Sequence, residues 1–222
     1  MGPRRIACPS PNHDARPDGA RIDILVLHYT GMRTAREALA RLCDPDAKVS
    51  AHYTIDRAGS IYAHVPEERR AWHAGVSYWA GERNVNARSI GIELVNPGHE
   101  FGYVPFTDDQ IASLIDLASG IAERHAIPAA RVLGHSDVSP MRKSDPGELF
   151  PWQKLADYGI GLWPDEARPK GDFAAALARY GYDPDAPLKD VTTAFQRHFR
   201  PSCVDGVADA QCASLLQGLL AG

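Results

Sequence analysis

Cysteine is scarce: Cys8, Cys43, Cys203 and Cys212 are the four among 222 residues. None stands in a CxxC spacing, which argues against a thiolate zinc site and a disulfide framework. Cys203 and Cys212 are close enough in the chain to bridge; the alternative is that both serve as small apolar side chains. Long apolar runs are missing too, and nothing approaches the roughly 18 residues of a membrane-spanning helix. Basic charge is not in excess. A formal net charge of -4 gives no reason to expect a nucleic-acid partner. Behind Arg4-Arg5 there is no apolar h-region, so the N-terminus does not read as a secretory signal. That makes the cytoplasm the expected compartment, with the periplasm or cell envelope as the alternative. A GxSxG elbow is absent, and the neighbours His135-Ser136-Asp137 cannot converge on one another as a triad must, which excludes a serine hydrolase.

What remains is an ordinary globular composition, 44% hydrophobic and 23% charged. Ile22 to Leu27 is a near-continuous apolar run, the pattern of a strand buried on both faces. Thr34 stands where it would cap a helix running through Leu42, and the stretches 50–55 and 61–65 flank Asp56 to Ser60 as a β-hairpin. Ser89 to Val95 reads as another strand. Thr107 opens a helix reaching His125, with Ile111, Leu114, Ile115 and Ala118 on one side. Val132 to His135 is a short strand, and Pro140 to Gly147 is irregular. The first twenty residues, rich in Pro, Gly, Arg and Asp, are expected to wrap the surface.

Interleaved strands and helices make the body α/β. The polar, proline-containing stretch Trp163 to Gly171 is the best linker. Beyond it come three helical patterns. The middle one aligns Val191, Ala194, Phe195 and Phe199, and the last aligns Ala208, Cys212, Leu215, Leu216 and Leu219. The expected organisation is a body over 1–165 and a small three-helix module over 166–222.

Chemistry concentrates in the body. His28 and His135 each end a strand, and Asp145 follows His135 by ten residues in a loop. Two imidazoles and a carboxylate delivered this way make a zinc site with one open position for water. Spacing does not decide among nine histidines, and His52, His64 and His73 are rival ligands on the same logic. Glu93 shares a strand face with residues 89, 91 and 95 in an otherwise apolar strand. Burial there would raise its pKa toward the range of a general base; the plainer alternative is a solvated carboxylate on an edge strand. Lys143 precedes Asp145 by two residues, so in extended backbone both face one cavity, where an ammonium would stabilise an oxyanion. Otherwise it is a surface lysine.

Six motifs occur in order: Leu27-His28-Tyr29-Thr30, Val49 to Ile55, Ala71-Trp72-His73-Ala74-Gly75, Ser89 to Leu94, Gly134-His135-Ser136-Asp137 and Lys143-Ser144-Asp145-Pro146-Gly147. Together, over roughly residues 20 to 155, they resemble the AmpD/AmiD type of N-acetylmuramoyl-L-alanine amidase. Its superfamily includes phage T7-type lysozyme and the peptidoglycan recognition proteins. The resemblance implies a central mixed β-sheet flanked by helices, with Zn2+ in a cleft at one sheet surface. It also implies hydrolysis of the bond between N-acetylmuramic acid, or its anhydro form, and L-alanine. It assigns His28, His135 and Asp145 as zinc ligands, Glu93 as the catalytic carboxylate and Lys143 as the transition-state stabiliser. His52 becomes structural or a support behind the ligands, while Trp72 and His73 line the cleft; Trp72, His73 and Ala74 are candidate contacts to sugar or stem peptide. Lys48 or Arg83 is a further substrate contact, pairing with a peptide carboxylate.

One departure is Ala51, which stands where the phage-lysozyme and recognition-protein branches carry a catalytic tyrosine; the acid/base task then falls to Glu93. Residues 194–201 and 204–209 resemble a peptidoglycan-binding domain. The expected partner is peptidoglycan or a muropeptide, with no protein partner indicated. A non-catalytic peptidoglycan-binding protein is the rival reading, and the complete set His28, Asp145, Glu93 and Lys143 argues against it.

Overall fold

The apolar run beginning at Ile22 becomes strand β3, Ile24–Tyr29, with Ile24 to Leu27 almost wholly excluded from solvent. The computed structural model describes residues 2–221. β3 begins two residues later than the apolar run because Asp23 is drawn into ion pairs with Arg88 and Arg131. It continues past His28 because a parallel neighbour, β7 (Ser89–Leu94), runs beside it to the end, pairing His28 with Glu93 and Tyr29 with Leu94.

Six strands form the central mixed sheet. The others are β1 (Arg5–Ala7), β4 (Tyr53–Ile55), β5 (Ile61–Ala63) and β8 (Val132–Gly134), in the order β1-β5-β4-β7-β3-β8. Only β4 and β5 pair antiparallel, as the hairpin pattern implies. β2 (His13–Ala15) and β6 (Arg69–Ala71) pair separately. The N-terminal segment therefore does more than wrap the surface: it adds β1 to a sheet edge and β2 to β6. Three-residue strands carry too little alternation to be seen in sequence.

Side-chain parity along β3 separates two apolar layers. Leu25 and Leu27 face α4 (Asp108–His125), which follows α1 (Ala35–Cys43) and the short α2 (Val85–Arg88) and α3 (Gly98–Phe101), and they pack with its Ile111, Leu114, Leu117 and Ile121. Thr107 caps that helix, its hydroxyl accepting from the Gln110 N–H. Ile24 and Val26 face the opposite way, into a cluster with Leu133, Leu177, Phe195, Phe199 and Leu216. The last four come from α7 (Phe173–Tyr180), α8 (Leu188–Phe199) and α9 (Ala210–Ala221), which follow α6 (Trp152–Ala156) and the polar stretch. The C-terminal helices thus share an apolar layer with the strands that carry the candidate ligands. Gln196 holds the turn after α8: its amide donates to the Asp205 carboxylate and the Val207 carbonyl, and its oxygen accepts from Asp205 and Gly206. Gly206 has φ +73, and a Cβ there would lie 2.8 Å from the Thr193 hydroxyl.

The cysteines fall differently from the chain-distance argument. Cys212 is buried and Cys203 exposed, each with other partners, and all four thiols are free.

Candidate metal centre and its cleft

Strand register brings the chemistry together. His28 on β3 sits beside Glu93 on β7, while Leu27 pairs with Gly134 at the end of β8. The next residue, His135, opens a short helix, α5 (His135–Val138), rather than ending the strand. Asp137 causes that turn: its carboxylate accepts the Gly134 N–H at 2.7 Å and the Tyr182 hydroxyl at 2.7 Å, and lies 2.7 Å from His198 Nδ1. Asp145 returns to the same point because its carbonyl accepts the Ser136 N–H.

His28, His135 and Asp145 are 1%, 3% and 6% exposed. His28 Nδ1 and His135 Nδ1 are 2.9 Å apart, and Asp145 Oδ2 lies 3.1 Å from the first and 3.0 Å from the second. The protons on these rings follow from their outer contacts. His135 Nε2 lies 3.1 Å from the Ala74 carbonyl, which only accepts, so the proton is on Nε2 and Nδ1 carries a lone pair. The Ser89 hydroxyl donates to the Val85 carbonyl, which leaves its oxygen to accept from His73 Nε2 at 3.1 Å. His73 Nδ1 is then the acceptor for His28 Nε2, also at 3.1 Å, and His28 Nδ1 is left with a lone pair as well.

Three acceptors therefore face one another at hydrogen-bonding distance with no proton to share. A cation between them makes that arrangement favourable, and two imidazole nitrogens with one carboxylate oxygen suit zinc with an open position. The donor set fits the metal.

The electrostatics agree. Burial, then the nearby His135, lowers His28 to about 4, so its ring is neutral at pH 7. His73 is held well below the usual imidazole range, by burial and then by His28. Burial opposes ionisation of Asp145, and a proton on His135 or His28 would outweigh it and lower the group below the usual carboxylate range; with both Nδ1 atoms unprotonated, a bound cation supplies that charge instead. Glu93 moves the other way: burial and then Asp145 raise it well above the usual carboxylate range, against the opposing charge of Lys143. One carboxyl oxygen, Oε2, is sealed from solvent without a hydrogen-bond partner. That is the environment of a proton acceptor rather than of a structural ion pair.

Glu93, Lys143, His73, His135 and Asp145 all line one open cleft of about 520 Å³. Of the rival histidines, His52 turns away, accepting the Gly91 N–H and approaching Arg16 and the Arg69 carbonyl. His64 contacts the Cys8 carbonyl and Thr54. Trp72 is half-buried beside Ser50, and Ala74 is buried, meeting the centre only through its carbonyl. Lys48 and Arg83 do not line the cleft; Arg83 pairs with Asp183 and Asp185. Sequence reasoning missed Arg142, whose guanidinium donates to the Val76 carbonyl at 2.6 Å on the cleft rim. Also missed was the wall of Tyr29, Ser144 and His99, where the Tyr29 hydroxyl lies 3.0 Å from Ser144 and 2.9 Å from His99. Gly98 was the available signal, since a Cβ there would come within 2.5 Å of the Tyr29 ring.

A sequence profile described as N-acetylmuramoyl-L-alanine amidase (Amidase_2) matches residues 18–148, a span holding His28, Glu93, His135, Lys143 and Asp145. The chain belongs to the N-acetylmuramoyl-L-alanine amidase family. The amidase is 41% identical over 231 residues to N-acetylmuramoyl-L-alanine amidase AmiD of Escherichia coli (strain K12), covering 90% of this chain and 83% of the relative. It is 36% identical over 164 residues to 1,6-anhydro-N-acetylmuramyl-L-alanine amidase AmpD of Enterobacter cloacae, covering 66% and 86%. The structure of E. coli AmiD in complex with the substrate anhydro-N-acetylmuramic acid-L-Ala-D-gamma-Glu-L-Lys superposes with a TM-score of 0.82 at 40% identity, over 92% of this chain and 91% of that one. AmpDh3 from Pseudomonas aeruginosa in complex with anhydromuramic pentapeptide gives 0.81 at 36%, over 91% and 92%. Both structural matches extend beyond the profile into the C-terminal helices of the amidase.

Proposed function

We propose that the amidase hydrolyses the amide between the lactyl group of N-acetylmuramic acid, in its ordinary or 1,6-anhydro form, and the L-alanine of the stem peptide, with zinc as its metal. The carrying observation is the convergence of three acceptors, His28 Nδ1, His135 Nδ1 and Asp145 Oδ2, beside Glu93 in an open cleft. Relatives whose structures hold anhydromuropeptides support the substrate class.

His28, His135 and Asp145 would hold the zinc, which supplies Lewis acidity that brings a water's pKa toward neutrality and polarises the scissile carbonyl. Glu93 takes the proton from the attacking water; its raised pKa gives it the affinity that an ordinary surface carboxylate lacks. Lys143 presents positive charge from the same cleft to the oxyanion, an effect worth about 3 kcal/mol for a well-placed donor. Glu93 then returns the proton to the departing alanine nitrogen, acting as base and afterwards as acid. His73 and Ser89 keep the His28 ring turned so that Nδ1 faces the centre.

Residues 166–222 form, in this reading, a peptidoglycan-binding-like helical part that backs the strands of the centre and favours polymer or large fragments as substrate. The resemblance of residues 194–209 to such domains supports it.

Mass spectrometry of products from defined muropeptides, with and without the anhydro sugar, tests the assignment. Zinc-loaded protein is expected to add one water and release a peptide with a free N-terminal alanine. An intact substrate, or cleavage within the glycan or the peptide, would contradict it.

A further inference from the structure

Away from the cleft, Cys8 and Cys43 bring their sulfurs within 3.4 Å although 35 positions separate them. Their approach is fixed from both sides. The Cys8 carbonyl accepts from His64 Nδ1 at 2.7 Å, and the Cys8 N–H donates to the Ala63 carbonyl on the sheet edge. Just after Cys8, the Ser10 hydroxyl donates to the Leu42 carbonyl, and the Asn12 amide donates to the Asp44 carbonyl at 2.7 Å. Those two carbonyls flank Cys43, the last residue of helix α1 (Ala35–Cys43). The N-terminal segment is thus stitched across the end of α1 with the two thiols at the seam, each half-exposed.

The geometry points to Cys8 and Cys43 as an oxidisable pair that closes to a disulfide by exchange with a protein or low-molecular-weight disulfide. One thiolate attacks a sulfur of the incoming disulfide and expels the first thiolate. The second cysteine then attacks the mixed disulfide and expels the other. The protein loses two thiol protons and two electrons, and the reagent takes up both and leaves as two thiols. Closure brings the sulfurs about 1.4 Å nearer, from 3.4 Å to a bonded distance, a movement within reach of side-chain rotation.

A metal fits this place less well. His64 Nδ1 lies 3.8 Å from the Cys43 sulfur, but its proton is given to the Cys8 carbonyl, and the opposite nitrogen faces the Thr54 hydroxyl at 2.8 Å. Neither nitrogen has a lone pair for an ion between the sulfurs. Burial and then the Cys8 thiol push the Cys43 thiol up to about 12, so Cys43 itself is a thiol at neutral pH. The consequence concerns the cleft. Ala38, Arg41 and Leu42 on α1 form part of its wall, and the bridge would tie that wall to the sheet edge.

The full-length protein is incubated with oxidised glutathione or with dithiothreitol, alkylated and mapped. The expected result is a peptide joining Cys8 to Cys43 and an intact mass lower by two hydrogens at that pair, while exposed Cys203 takes up glutathione and serves as the control for reagent activity. The oxidised form should melt about 5–10 °C above the reduced form, a difference absent in Cys8→Ser. Free, alkylatable Cys8 and Cys43 once Cys203 has fully reacted, or glutathione on each, would overturn the proposal. A second zinc per chain, lost in Cys8→Ser while the first remains, would overturn it in favour of a metal site. The comparison of oxidised and reduced wild type stands even where a variant fails to fold.

Discussion

His73 donates no ligand atom to the centre, yet its ring decides where the His28 lone pair points. Its place depends on Gly91, where a Cβ would lie 2.5 Å from the imidazole; only a glycine lets the ring lie on β7 at that point. Spacing alone left His52, His64 and His73 as rivals of His28 and His135, because what separates them is the partner of each outer nitrogen, which a sequence does not carry. Asp145 and Glu93 were legible through the motifs in which they stand. The sealed Oε2 of Glu93 was not, being a property of three strands in register. Glu93→Ala is expected to leave zinc bound, since the three ligands are untouched, and to lower turnover on a muropeptide by about 10²–10⁴-fold. Turnover within a few-fold of wild type, with zinc in place, would show that another group accepts the proton.

Among the elements, those with a cap or a clear period were readable. Thr34 and Thr107 do accept the N–H groups of Glu37 and Gln110, and the hairpin forms around Asp56, whose carboxylate accepts from Ala58 and Ser60. Strands β1, β2 and β6 were too short for their pattern to show, and α5 exists because buried Asp137 holds Gly134 from below. That aspartate joins the ligand-bearing turn to Tyr182 and His198 of the C-terminal part. The three helices beyond the polar stretch were expected as a module, and their apolar faces meet Val26 and Leu133 from the sheet. Phe195 is fully buried in that layer. Phe195→Ala should cost about 3–5 kcal/mol and lower the melting temperature by about 10 °C. Because the layer is shared, calorimetry should still give one transition. Two transitions, only one of them displaced, would contradict the shared core.

At the scale of the whole molecule, one mixed sheet lies between two apolar layers, and the centre sits at the carboxyl ends of the parallel strands β3, β7 and β8. That end is where open sheets of this kind leave a crevice, since the strands stop and the loops diverge. Among the described residues no helix is long and apolar enough to cross a membrane. The α/β class, the sheet and the cleft were legible as a family resemblance; the pairing of Cys8 with Cys43 was not, because 35 positions of chain conceal it.

Three acceptors brought together by the fold, His28 Nδ1, His135 Nδ1 and Asp145 Oδ2, form the place for a cation. Zinc content per chain, measured for wild type and for Asp145→Ala after equal exposure to the metal, tests it most directly. One zinc per wild-type chain and a large loss in the variant are expected. Wild-type protein without bound zinc, or a variant that holds it as tightly as wild type, would contradict the account.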